Sequence, residues 1–200
     1  EINSKREVLK MKRKMFKKLI TTVIMMTMLL QSTFSNVVVF ATDTPSDYDM
    51  GKAITGVSVQ AWTGSEWYEI PQVLIEDGPE IERNAQIKVA ISYEPSLLTE
   101  SFKVNDTITY NLPNGIKATK EQSGDVYDGP TVVGRYKITT NGIIKITITN
   151  ESYVEDSNGK LKNGKISFDG NLDENAWNEG GRQEIKFGDV TLHVNVKDKE

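Results

Sequence analysis

TTNGIIKITITN, residues 139–150, sets Asn141-Gly142 ahead of a run in which Ile144, Ile146 and Ile148 alternate with Lys145, Thr147 and Thr149. Successive side chains of an extended chain point to opposite faces, so this run is a strand with one buried side. Asn-Gly between two β runs signals a hairpin, because a tight two-residue turn requires positive φ at both central residues.

The same period of two recurs on either side. ITGVSVQAW (54–62) aligns Val57, Val59 and Ala61, and QIKVAISY (86–93) aligns Ile87, Val89, Ile91 and Tyr93 against Lys88 and Ser92. Residues 106–112 align Ile108, Tyr110 and Leu112; residues 165–172 align Ile166, Phe168 and Leu172; residues 189–196 align Val190, Leu192, Val194 and Val196. Turn-forming pairs such as Asn114-Gly115, Asp128-Gly129 and Asn163-Gly164 separate them. After Ala41 no apolar stripe of helical period runs for three turns, while Thr, Val and Ile abound, which favours strands. Eight to ten strands and no helix are expected, an all-β chain folded as a sandwich, because the apolar faces are one-sided and irregularly spaced.

From Met11, five cations (Lys12, Arg13, Lys14, Lys17 and Lys18) precede an apolar stretch over 19–30, the layout of a secretory signal, with Val39 and Ala41 small enough for a peptidase site. Residues 11–41 are therefore read as a signal peptide and residues 1–10 as upstream residues outside any domain. An uncleaved membrane anchor is the alternative, although the apolar run is shorter than the roughly 20 residues that span a bilayer. Residues 42–53 carry Pro45, Ser46 and several Asp and read as a flexible lead-in. The domain is placed at 54–197, with 198–200 starting a linker to a downstream region.

The chain has no cysteine, which excludes a disulfide scaffold, zinc-thiolate sites and cysteine nucleophiles. The first 41 residues hold eight of the 24 Lys/Arg and two of the 28 Asp/Glu, so the remainder carries a net charge of −10. Such a surface repels nucleic acid and gives no support to binding an anionic membrane.

Read in order, residues 87–94 (IKVAISYE), 105–116 (NDTITYNLPNGI), 132–155 (VVGRYKITTNGIIKITITNESYVE), 163–173 (NGKISFDGNLD) and 184–196 (EIKFGDVTLHVNV) form a recognisable succession. It resembles the first folded subdomain in the ligand-binding region of Gram-positive cell-wall adhesins of the collagen-adhesin type, over residues 54–196. Asn105-Asp106 stands where Gly-Asp is usual there, and Asn163-Gly164 near the usual Ser-Gly. The resemblance implies an immunoglobulin-like β-sandwich with extra strands. It also implies secretion to the cell surface, attachment to peptidoglycan through a C-terminal region, and a host extracellular-matrix partner such as collagen, clamped together with a following subdomain.

Catalytic residues are not expected. His193 is the sole histidine and falls on an outward strand position, with no nucleophile or orienting acid marked beside it. Carboxylate pairs such as Asp169 with Asp173 and Glu174 are common in so acidic a chain and carry no hydrolase signal. Asp169, Asn171, Asp173 and Asn175 alternate oxygen side chains that could converge on calcium, but Glu174 and Gly180 stand where a calcium loop needs Gly and Glu. Adhesins of this kind often carry Lys–Asn isopeptide bonds, and Lys88 and Asn195 have the right order, yet both occupy outward positions where no apolar surround would depress the lysine pKa. Trp67, Tyr68 and Trp177, with Trp62, are the candidates for an aromatic platform that contacts a sugar or peptide. No cofactor is expected. The function read from the chain is an adhesin module, with a structural stalk or pilin-like domain and a carbohydrate-binding accessory module as alternatives.

Overall fold

The computed structural model describes residues 44–199; residues 1–10 and the expected signal peptide, 11–41, lie outside the described residues. Thirteen strands follow one another: β1 (Asp47–Asp49), β2 (Ile54–Trp62), β3 (Trp67–Glu69), β4 (Glu80–Ile81), β5 (Gln86–Tyr93), β6 (Thr107–Asn111), β7 (Ile116–Ala118), β8 (Gln122–Asp128), β9 (Thr131–Ile138), β10 (Ile143–Ile148), β11 (Gly164–Leu172), β12 (Gly181–Phe187) and β13 (Val190–Val196). They form a five-stranded sheet β1-β6-β10-β9-β8, a second ordered β3-β2-β5-β11-β7, and a three-stranded sheet β12-β13-β4.

The period-two positions named above are what the fold buries, with Leu112 and Val190 only partly covered. Ile108, Ile144, Ile146 and Ile148 from the first sheet join Val57, Val59, Ile87, Val89, Ile91, Ile166 and Phe168 from the second in one dry core, to which Ile185, Phe187, Leu192, Val194 and Val196 of the third sheet also belong. Each fully buried branched aliphatic side chain is worth about 1.5–3 kcal/mol relative to exposure. The expected all-β sandwich is therefore the observed one.

Four details differ from the sequence reading. Thirteen strands stand among the described residues where eight to ten were expected, because β1, β3, β4 and β7 have only two or three residues each, too few to show an alternation. The β9–β10 connection is wider than a two-residue turn: Gly142 N–H donates to Thr139 O at 3.0 Å, Thr139 N–H to Ile143 O at 2.9 Å, and of the Asn-Gly pair Gly142 alone has positive φ, 81°. This is a type I turn followed by a left-handed residue, which places the glycine one position after the turn.

A short helix, α1 (Glu151–Ser157), stands where none was expected. Asn150 caps it, accepting from Tyr153 N–H at 2.9 Å, while its own amide donates to Val132 O at 2.7 Å. Seven residues make about two turns, too few to carry a stripe of helical period.

Asp47–Ala53 are not a flexible lead-in. β1 pairs in parallel with β6, and the Asp47 carboxylate accepts from the hydroxyls of Thr107 and Thr109 at 2.6 Å each. The carboxylate of Asp106, 1 % exposed, accepts from the backbone N–H of Ser46 and of Lys103, both at 2.8 Å. Met50 and Ala53 then bury themselves from a 3-10 turn. Their anchors lie some sixty residues along the chain, and that is why a local reading saw only Pro, Ser and Asp.

Candidate ligand-binding face

Strands β2, β5 and β11 are neighbours in the second sheet, and their alternation sends one set of side chains into the core and the other set out. The outward set is in register: Gln60 pairs with Lys88, and Lys88 with Asp169; beside them Ser58 pairs with Ala90, and Ala90 with Ser167. At one end Trp62 pairs with Trp67, and towards β7 Asn171 lies between Gln86 and Lys117.

The segment 119–122, which carries the chain from this sheet to β8, overhangs the same face. Gln122 Nε2 donates to the Asp169 backbone oxygen at 3.0 Å. Two adjoining concavities result, one of about 420 Å³ lined by Ser58, Gln60, Lys88, Gln122, Ser167 and Asp169, the other of about 440 Å³ lined in part by Trp67, Gln86, Lys88, Lys120, Asp169 and Asn171. Lys88 and Asp169 belong to both.

Of the four aromatic candidates, Trp67 and its cross-strand partner Trp62 stand on this face, and Trp67 is the more open of the two. It is 36 % exposed, its ring centroid lies 5.5 Å from that of Trp62 at 59°, and Lys88 Nζ sits 4.2 Å above it. A cation over an indole face is attracted by the ring quadrupole, so Trp67 holds the lysine ammonium in place. Tyr68 pairs with Ala61 and turns inward against the core.

Trp177 is half-buried and lines neither concavity. It packs on the core, a Cβ at Gly115 would stand 2.5 Å from its Cζ2, and Arg83 Nη1 donates to its backbone oxygen while Asn114 Nδ2 donates to Ala176 O at 3.3 Å. Gly115 has φ of 96°, so a side chain there would be strained by its backbone as well as by the indole.

The alternating oxygen set does not converge. Asp169 points outward from β11, the Asn171 amide donates to Asn84 O at 2.7 Å, and the Asp173 carboxylate accepts from Asn175 N–H at 3.1 Å in the turn that follows. Among the described residues no three His, Cys, Asp or Glu side chains are placed to hold a metal ion. His193 stands opposite Glu184 on β13 and is half-buried. Lys88 and Asn195 occupy different sheets, the latter's amide reaching Gly78 O at 3.5 Å.

What the sequence reading missed is the partnership of Gln60, Lys88, Lys120, Gln122 and Asp169. The outward phase of Gln60, Lys88 and Asp169 was readable from alternation, but the register that aligns them was not, and Lys120 and Gln122 come from a bend and a strand with no period-two signal.

Two comparisons complete the description. A family model described as bacterial Ig domain matches residues 80–182, just over half of the chain, from β4 to the start of β12. No curated protein matches the chain significantly.

Proposed function

The chain belongs to the bacterial Ig domain family, and from that premise we propose that it is an exported, non-enzymatic surface module of a Gram-positive bacterium that holds an extended extracellular polymer on the outer face of β2, β5 and β11. Membership of this family suggests a surface or extracellular module of a typically non-enzymatic kind. Export rests on the basic start and apolar stretch of residues 11–41, and wall attachment and a host-matrix partner such as collagen rest on the adhesin resemblance. In adhesins of that type a following subdomain closes on the ligand, and two linked weak sites then act as one strong one.

The observation that carries the reading is the in-register row Gln60–Lys88–Asp169 beside Trp67, open along its length and roofed at one point by Gln122. A long shallow polar trench with an aromatic at one end suits a chain-like ligand better than a small molecule, which needs an enclosed, mostly apolar pocket. A stalk domain needs no such trench.

The test is solid-phase binding of the chain to collagen, fibrinogen, fibronectin and polysaccharide, with the wild type beside the pair Gln60→Ala and Asp169→Ala. Binding that falls at least tenfold in the folded pair supports the reading. Silence towards every polymer supports a stalk instead, and binding untouched by the pair moves the site elsewhere.

A further inference from the structure

We infer that the polymer held on this face is an anionic polysaccharide, an inference that rests on the binding face proposed above. Its basis is a reversal of charge. The chain after Ala41 carries a net charge of −10, yet the outer face of the second sheet bears exposed Lys88, Lys117 and Lys165 on its strands and Lys120 on the overhanging segment. Asp169 and Glu69 are the strand acids on that side.

None of the four lysines has a carboxylate within ion-pair distance among the described residues, although other cations of the fold do. Arg135 meets Asp125 at 3.3 Å, Lys137 meets Glu121 at 3.0 Å, Lys162 meets Asp128 at 2.9 Å and Lys186 meets Glu184 at 3.0 Å. The contrast with the outer face of the first sheet is direct, because there Arg135 and Lys137 are neutralised and Lys145 lies in the field of Asp47. Cations outnumber acids on this face of an otherwise acidic domain, which concentrates anions there and steers them to it.

The rest of the face selects a glycan over an acidic polypeptide. An extended peptide is commonly bound by adding a strand to an open edge, whereas the trench lies across the face of the sheet over β5, whose backbone is already paired on both sides by β2 and β11. What the face offers is side chains: the amides of Gln60 and Gln86 and the hydroxyls of Ser58 and Ser167, which donate and accept as sugar hydroxyls require. Lysine ammoniums supply point charges for carboxylate or sulfate groups.

The full chain should be passed over immobilised sulfated polysaccharide, polyuronate, neutral dextran, polyglutamate and duplex DNA at low and moderate salt. Retention on the sulfated glycan or the polyuronate at least tenfold above dextran, released by salt, is expected, and the two arms separate sulfate from carboxylate recognition. The paired changes Lys88→Gln and Lys120→Gln should weaken retention at least tenfold. The same change of charge on the opposite face, Lys137→Gln with Lys145→Gln, should leave it within twofold, circular dichroism verifying the fold of each. Equal retention on polyglutamate or DNA, equal loss in both pairs, or no retention on either anionic glycan overturns the inference. If both anionic glycans fail while collagen or dextran is bound and released by Gln60→Ala with Asp169→Ala, the binding face survives without its assigned ligand.

Discussion

The ammonium of Lys88, on the central strand of its sheet, lies 4.2 Å from the centroid of the Trp67 ring on the edge strand. Exposed cation–π pairs are worth about 0.5–1 kcal/mol. A double-mutant cycle with Lys88→Ala and Trp67→Ala, followed by urea unfolding, should return a coupling energy of about that size. A coupling indistinguishable from zero would show that the indole does not hold the lysine.

Trp177 and Gly115 make a second, buried relationship. Gly115→Ala meets both a φ of 96° and the Trp177 ring, and should destabilise the fold by about 1–3 kcal/mol. Trp177→Ala should also lower the melting temperature while leaving polymer retention by the folded protein unchanged. Loss of retention at full stability would return Trp177 to the ligand contacts.

Acidification should release β1. Burial by itself would raise the pKa of Asp47, but the hydroxyls of Thr107 and Thr109 and the charge of Lys145 outweigh it and hold the carboxyl below its ordinary value of 3.8. A carboxyl held down in the folded state contributes stability that is complete above the ordinary value and disappears as pH falls through the folded one. Hydrogen exchange of β1 amides should accelerate below about pH 4 in the wild type. In Asp47→Asn it should be fast already at neutral pH and lack that acid step; an identical profile in both proteins would refute the assignment.

Asn150 caps α1 and ties it to Val132 at once. Asn150→Ala should cost about 1–2 kcal/mol in thermal or urea unfolding, against a few tenths for the exposed neighbour Glu151→Ala. Equal effects of the two changes would mean that the helix is held by other contacts.

The core was legible because period two is a local property. Residues 86–93 and 142–148 announce their inward side chains whatever lies next to them, and Ile87, Val89, Ile91, Ile144, Ile146 and Ile148 are all buried. Elements stabilised from a distance were not legible. β1 depends on Asp106 and Thr107 sixty residues later, and β8 is so rich in Gly124, Asp125 and Ser123 that only its pairing with β9 makes it a strand.

The candidate face divides in the same way. Trp67 stood out by residue type, and the outward phase of Lys88 by alternation. That β11 would carry Asp169 to Lys88, and that 119–122 would fold over both, follows from strand order, which short-range pattern does not encode. Tyr68 and Trp177 were indistinguishable from Trp67 until their pairing and packing were seen.

Amide chemical-shift mapping of the labelled chain during titration with a sulfated oligosaccharide probes the binding face most directly. The expected result is that the amides of Gln60, Lys88, Gln122 and Asp169 move together and saturably while those of Arg135, Lys137 and Lys145 stay fixed. Shifts confined to the opposite sheet, or scattered over the surface without saturation, would contradict it.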